Sequence, residues 1–271
     1  MSSICRVLEV SRSNICTQLK QQKRSRKPPE ALEEDVLILQ TIKDILGERP
    51  AYGYRRITVI LRQKLGISIN HKKVYRLMKE NQLLLQRHVL RPQRMHDGKI
   101  ITLKSNVRWC SDLFTLQCWN GDKVTITFSK DCHDREIISW IASSKGIDGT
   151  MIRDLMAESV EKRFGKVNKV PHSLQWLSDN GPQYVARDTV HFGRLLGLEI
   201  CTTAPYSPES NGMAEAFVKT FKRDYAAFGD LSSAQRVIKQ IPLWFEDYNE
   251  RAPHKGLKML SPREYRRQLA A

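Results

Sequence analysis

At residue 107 the rhythm of the chain changes, and that change decides the fold class. "VRWCSDLFTLQC", "DKVTITFSKD" and "EIISWIAS" are three runs rich in β-branched and aromatic residues, separated only by the short turns "WNGD" and "CHD". Connections this short join antiparallel neighbours, because a parallel pair needs a crossover of a dozen residues or more. The pattern then alternates: a helix over about 149–164, a strand in "HSLQWLSD", a helix over about 184–196, a strand in "LEICTTA", and helices over about 212–228 and 232–250. A three-stranded meander followed by alternating helix and strand specifies an α/β fold, a mixed five-stranded sheet with helices on both faces. That order allows the first and fourth strands to be neighbours.

The region upstream reads as all-α. Residues 30–46 place Leu32, Val36, Leu39, Ile42 and Leu46 at helical spacing on one face. "YGYRRITVILRQKLGISINHKKVYRLMKENQLL" gives two helices around a tight "LGIS" turn. Ile57, Ile60, Leu61 and Leu65 line the first; Asn70 is placed to cap the second, with Val74, Leu77 and Met78 inward. Lys72, Lys73 and Arg76 are left outside, and Arg55 and Arg56 open the first helix. Helix, glycine turn and a helix with a basic outer face is the helix-turn-helix pattern, so these five are candidate DNA contacts. Three-helix packing without DNA contact is the plainer alternative. The expected organisation is a short helical and basic segment at 1–27, a helix-turn-helix region at 30–85, a basic linker at 86–106, an α/β core at 107–228 and a helical extension at 229–271.

Charge narrows the partner. The chain has 45 Lys and Arg against 29 Asp and Glu, a net +16. Such an excess repels itself unless a polyanion is bound, which points to nucleic acid. No apolar run approaches the roughly 20 residues of a membrane helix, and no signal-peptide core opens the chain, so the expected location is cytoplasmic, with the nucleoid. Six cysteines without C-x-x-C pairs read as free thiols in a reducing compartment. Cys132-His133 is the only adjacent Cys/His pair and is a poor metal site.

Three acids stand out by their place in this plan. Asp112 lies in the first strand, within "WCSDLF". Asp179 ends the fourth, in "WLSDNG", where Asn180-Gly181 forces a turn. Glu215 occupies the first turn of the helix that follows "YSPESNG", capped by Ser210 or Asn211. Ala214, Phe217, Val218 and Phe221 make that helix's apolar stripe, with Lys219 and Lys222 beside Glu215. A structural reading pairs Glu215 with Lys219. Asp131 and Asp134 compete for attention, but an Asp134–Arg135 pair fixing a strand corner is the expected role there, and Asp122 reads as turn chemistry. His133, His172 and His254 read as structural or DNA-facing.

"RWCSDLF", "DCHDREIISW", "WLSDNGPQY", "APYSPESNGMAEAFVKTFKRDY" and "DYNERAPHKGLKMLSPREY", in that order, resemble the ORF-B transposases of two-frame bacterial insertion sequences, within the retroviral-integrase superfamily and its ribonuclease-H-like fold. The resemblance covers about 4–267. It implies that Asp112, Asp179 and Glu215 are the catalytic, metal-binding triad, holding two Mg²⁺ ions for which Mn²⁺ can substitute. It implies DNA strand cleavage and strand transfer, and contacts to DNA from Lys219 and Lys222. The partners it implies are the element's terminal repeats and target DNA, a homo-oligomer on DNA, and the ORF-A product of an upstream frame. Two-ion chemistry suits phosphodiester transfer, since it activates the attacking oxygen and stabilises the leaving one. A DNA-binding regulator or inactive remnant of such an enzyme, and a ribonuclease-H-like nuclease, are the rival readings.

Overall fold

The computed structural model describes residues 11, 13, 29–86, 102–166, 168–203 and 212–270. The expected 1–27 segment, apart from Ser11 and Ser13, most of the 86–106 linker and the cap at Ser210 or Asn211 lie outside the described residues. Helices α1 (Pro29–Glu48), α2 (Tyr54–Leu65) and α3 (His71–Glu80) form the N-terminal body. α2 stops at Gly66, whose φ of 64° is the left-handed conformation that glycine adopts at low cost. α3 starts at Asn70, whose side chain accepts the Lys72 N–H. The expected helix-turn-helix is therefore present.

The face that α1 buries differs from the expected one. Ile38, Ile42 and Ile45 are buried with Asp35, while Val36 is two-thirds exposed. The sequence carries two overlapping apolar stripes. The one that wins turns Asp35 toward α3, where Lys73 and Arg76 pair with it at 3.1 and 3.0 Å.

The second body contains β1 (Arg108–Gln117), β2 (Lys123–Asp131), β3 (Ile137–Ser143), α4 (Gly149–Phe164), β4 (Leu174–Ser178), α5 (Pro182–Val185), α6 (Arg187–Leu195), β5 (Leu198–Thr202), α7 (Gly212–Asp224), α8 (Ala234–Glu250) and α9 (Pro262–Ala270). The sheet runs β3-β2-β1-β4-β5. β1, β2 and β3 are antiparallel, and β4 lies parallel to both β1 and β5. Asp148 caps α4 through the Met151 N–H and Gly165 ends it, matching the expected span. The single helix expected near 184–196 is two, because Ala186 is extended, with ψ of 135°.

Each sheet face buries its own core. On one, Phe114 and Phe128 meet Phe217 and Phe221 of α7 and Phe245 of α8; the closest rings, Phe128 and Phe217, stand 4.5 Å apart. Such ring pairs contribute about 0.5–1.5 kcal/mol each beyond area burial. On the other face Trp109 and Trp176 pack under Ile152 and Leu155 of α4.

The strand corner is built differently from expectation. Asp134 is fully buried and takes two bonds from Arg163 of α4, at 3.0 and 3.1 Å, rather than pairing with Arg135. Arg135 instead stands with a φ of 63° and its guanidinium against Gly256, where a Cβ would clash at 2.0 Å.

Two arginines join the bodies. Arg56 of α2 bonds Asp224, the last residue of α7, at 2.7 Å. Arg49, just after α1, forms a two-pronged pair with Asp247 of α8, to which the Tyr225 hydroxyl also donates at 3.0 Å.

Candidate active site

The sheet register explains how two of the three acids meet. Parallel pairing sets Trp109 opposite Trp176 and Cys110 opposite Leu177. Continuing it by two residues brings Asp112 level with Asp179, just beyond the end of β4. Asp112 accepts the Leu113 N–H at 2.7 Å. Asp179 accepts the Gly181 N–H at 3.1 Å, which folds the chain sharply into α5. Asn180 donates to the Thr203 carbonyl at 3.1 Å, tying the same turn to the end of β5.

A buried hydroxyl cluster lies beneath this junction. The Tyr184 hydroxyl of α5 lies 2.8 Å from both Ser111 Oγ and Thr127 Oγ1. It therefore links the turn after Asp179 to β1 and β2 through a residue adjacent to Asp112. Sequence reasoning missed Tyr184, although an aromatic five residues after a strand-ending aspartate was visible.

Glu215 reaches the same place from α7, which the phenylalanine stripe seats on the β1–β2 face. Electrostatics links Asp112 to the other two acids. Burial pushes the Asp112 carboxyl up to about 6, and Asp179 and Glu215 push it the same way; the Leu113 N–H and Lys222 oppose them. Glu215 has the lysine partner expected one turn on, but Lys219 Nζ is 3.6 Å away and 80% exposed, so that pair neutralises little. Lys222 spans the site edge, with its ammonium 5.8 Å from the centre of the Phe114 ring.

Among the described residues no three His, Cys, Asp or Glu side chains are assembled closely enough to hold an ion as they stand. The donor chemistry nevertheless fits a hard cation. The groups are carboxylates, Asp179 and Glu215 both push Asp112 up, and among the described residues no arginine forms an ion pair with them. Magnesium takes one or two protein carboxylates and keeps its remaining positions for water and phosphate oxygens, so a preformed cage of three is not required.

The candidate DNA contacts separate into three groups. Lys72 and Arg55 are exposed; Lys72 opens α3, and the Arg55 guanidinium donates to the Tyr54 hydroxyl at 3.1 Å. Lys73 and Arg76 are held by acids: Lys73 by Glu34 and Asp35, Arg76 by Asp35 and Glu80. Arg56 is committed to Asp224, in the second body. Periodicity placed Lys73, Arg76 and Arg56 outside their own helices, but it carried no sign of the partners across from them.

Of the histidines, the His133 ring lies 2.8 Å from the Thr102 carbonyl and His172 2.9 Å from that of Asn106. His254 is buried against Tyr248, and burial drives its pKa down to about 3. Among the described residues no helix is long and apolar enough to cross a membrane.

Residues 32–89 match the family model described as an HTH-like domain. Residues 103–208 and 196–262 match models described as integrase core domain. The chain is 42% identical over 283 aligned positions to "Transposase InsD for insertion element IS2A/D/F/H/I/K" of Escherichia coli, covering all of this chain and 92% of that protein. Identity is the same to "Transposase InsD for insertion element IS2-9" of Escherichia coli strain K12, covering 90% of that protein. Among solved structures, a chain in the cryo-EM structure of a simian T-cell lymphotropic virus intasome in complex with PP2A regulatory subunit B56 gamma superposes with a TM-score of 0.51 at 15% identity, over 83% of this chain and 73% of that one. At that identity the likeness is one of fold. It agrees with the ribonuclease-H-like sheet order and with the integrase-core matches. The chain therefore belongs to the insertion-element transposases, DNA-binding enzymes of the polynucleotidyl-transferase type built on an integrase core.

Proposed function

We propose that Asp112, Asp179 and Glu215 are the catalytic carboxylates of this transposase and that they hold two Mg²⁺ ions, with Mn²⁺ able to replace them. The observation that carries this reading is that Asp179, in the turn after β4, and Glu215, in the first turn of α7, both push up the carboxyl of Asp112 on β1. When bound, the ions polarise the phosphodiester and acidify an attacking water. The protein's own residues supply the rest. Asp112 lies close to both other acids and would hold metal together with each of them. Asp179 is oriented by the Gly181 N–H. Glu215 stands in the first turn of α7.

The reaction needs no covalent link to the protein. Water attacks phosphorus at an element end, its oxygen joins the phosphate, and the P–O3′ bond breaks to leave a free 3′-hydroxyl. That hydroxyl then attacks a target phosphodiester, and the target strand's own 3′-oxygen leaves. Lys219 and Lys222 lie on α7 beside Glu215 and contact the DNA backbone there. In the N-terminal body Lys72 and Arg55 are the available phosphate contacts; Lys73 and Arg76 can serve only by giving up Asp35, and Arg56 only by giving up Asp224. The DNA is that of the element's terminal repeats and of the target, and joining two ends calls for at least a dimer on DNA. The ORF-A product of an upstream frame is the proposed partner for end recognition.

Substrate preference tests the reading. Purified protein with Mg²⁺ is offered a DNA duplex bearing a free 3′-hydroxyl at an element end, and separately an RNA–DNA hybrid. Joined DNA product without hybrid cleavage is expected. Cleavage of the hybrid without joining would instead favour a ribonuclease-H-like nuclease, and DNA binding without either reaction a regulator.

A further inference from the structure

Lys130 is 3% exposed. On β2 it shares a face with Val124, Ile126 and Phe128, where strand alternation asks for an apolar side chain. The β1–β2 register sets it opposite Cys110, two residues from Asp112 and on the same face of β1. From there its ammonium reaches α7. Nζ donates to the main-chain oxygen of Met213 at 3.2 Å and stands 5.5 Å from the centre of the Phe217 ring. Those partners are one helical turn apart and lie two residues either side of Glu215. The Met213 carbonyl is the one hydrogen-bond acceptor Lys130 has among the described residues.

An amine buried this way is a cost to the fold. Desolvation disfavours its charged form and pushes its pKa down. An unbranched apolar side chain of similar length would fill the same space, and replacing buried charge by well-packed apolar atoms is often neutral or stabilising. Stability does not account for a lysine here, whereas the place it grips does. We propose that Lys130 is a positioning residue, whose ammonium, held on the Met213 carbonyl and the Phe217 ring, fixes the first turn of α7 so that Glu215 meets Asp112 and Asp179. This rests on the reading of those acids as the catalytic triad.

The test compares full-length wild type, Lys130→Met and Glu215→Gln by thermal melting, DNA binding, Mn²⁺ titration in a calorimeter and strand joining at saturating DNA. For Lys130→Met the expected result is a melting midpoint equal to or above wild type, unchanged DNA affinity, and losses of about 10–100-fold in Mn²⁺ affinity and joining rate. A folded Lys130→Met protein with wild-type Mn²⁺ binding and joining would overturn the proposal. So would a lowered midpoint with Mn²⁺ affinity unchanged, since that is the signature of a purely structural lysine. Glu215→Gln separates the two levels. If it is inactive while Lys130→Met behaves as wild type, only the role of Lys130 falls. If Glu215→Gln itself joins DNA and binds Mn²⁺ normally, the acidic site is misassigned and the proposal falls with it.

Discussion

Two acidic clusters hang on the same sheet and have opposite electrostatic characters. At the β2–β3 corner, Asp131, Asp134 and Glu136 are all buried. Asp134 takes two bonds from Arg163; Glu136 is met by Arg263 at 2.8 Å, Arg163 at 3.2 Å and Arg266. Asp131 accepts the N–H groups of Asn106, His133 and Asp134. At the β1–β4 junction, Asp112 and Asp179 each accept one backbone N–H, and Glu215 has an exposed lysine at 3.6 Å. In the first cluster arginines meet Asp134 and Glu136, although burial and Asp134 still push the Asp131 carboxyl up; in the second, burial and the two other acids push Asp112 up, and Glu215 meets only an exposed lysine among the described residues. Density of acids along the sequence does not distinguish them, since "DCHDRE" is the more acidic run. What distinguishes them is whether the protein supplies the counter-charge itself.

The contrast is broken most forcefully by neutralising the second cluster. On the proposed catalytic role, Asp112→Asn, Asp179→Asn or Glu215→Gln should lower strand joining by about 10³-fold or more with DNA binding retained. Arg163→Met attacks the first cluster. It leaves the buried Asp134 carboxylate without its arginine, while Glu136 keeps Arg263 and Arg266, and urea denaturation should show a loss of about 3–5 kcal/mol. Tyr184→Phe strips the hydroxyl that links Ser111 and Thr127. Stability should drop by about 1–2 kcal/mol, and joining should slow because the turn after Asp179 loosens.

Asp112→Asn sharpens the comparison in the other direction. The carboxyl of Asp112 titrates near 6 in the folded protein against an ordinary 3.8. The folded state thus holds the proton more tightly than the unfolded one, so stability falls as pH rises from about 3.8 to about 6, and the full cost of the ionised group is present above 6. In EDTA at pH 7 the Asn variant should be more stable, on the order of 1 kcal/mol after allowing for partial exposure, and the gain should fade toward pH 4. The smallest effect concerns DNA. Lys72→Ala should lower the slope of log affinity against log salt by about one, and Lys73→Ala by clearly less, because acids of α1 already hold Lys73.

Local signals were legible where a short stretch decides the outcome. Asp148 and Gly165 bracket α4 as their residue types dictate, and Gly66 with Asn70 builds the helix-turn-helix turn. The meander followed from connection lengths, whereas the order of elements only allowed the pairing of first and fourth strands that the structure shows. Partners far apart in sequence were not legible. Arg163 lies 29 residues from Asp134, and Arg56 lies 168 residues from Asp224; no period relates them. α1 carried two apolar stripes, and only the packing of α3 against Asp35 chose between them. Lys130 did leave a sign, a charge at an inward position of an alternating strand, which strand periodicity marks but does not explain.

The most direct test of the account is a Mn²⁺ titration read beside strand joining, for wild type, Glu215→Gln and Asp134→Asn. The account predicts that wild type binds Mn²⁺ and joins DNA ends, that Glu215→Gln loses both while staying folded, and that Asp134→Asn loses stability but, while folded, keeps its Mn²⁺ affinity. Undiminished joining by Glu215→Gln would contradict it, as would Mn²⁺ binding that disappears with Asp134 and not with Glu215.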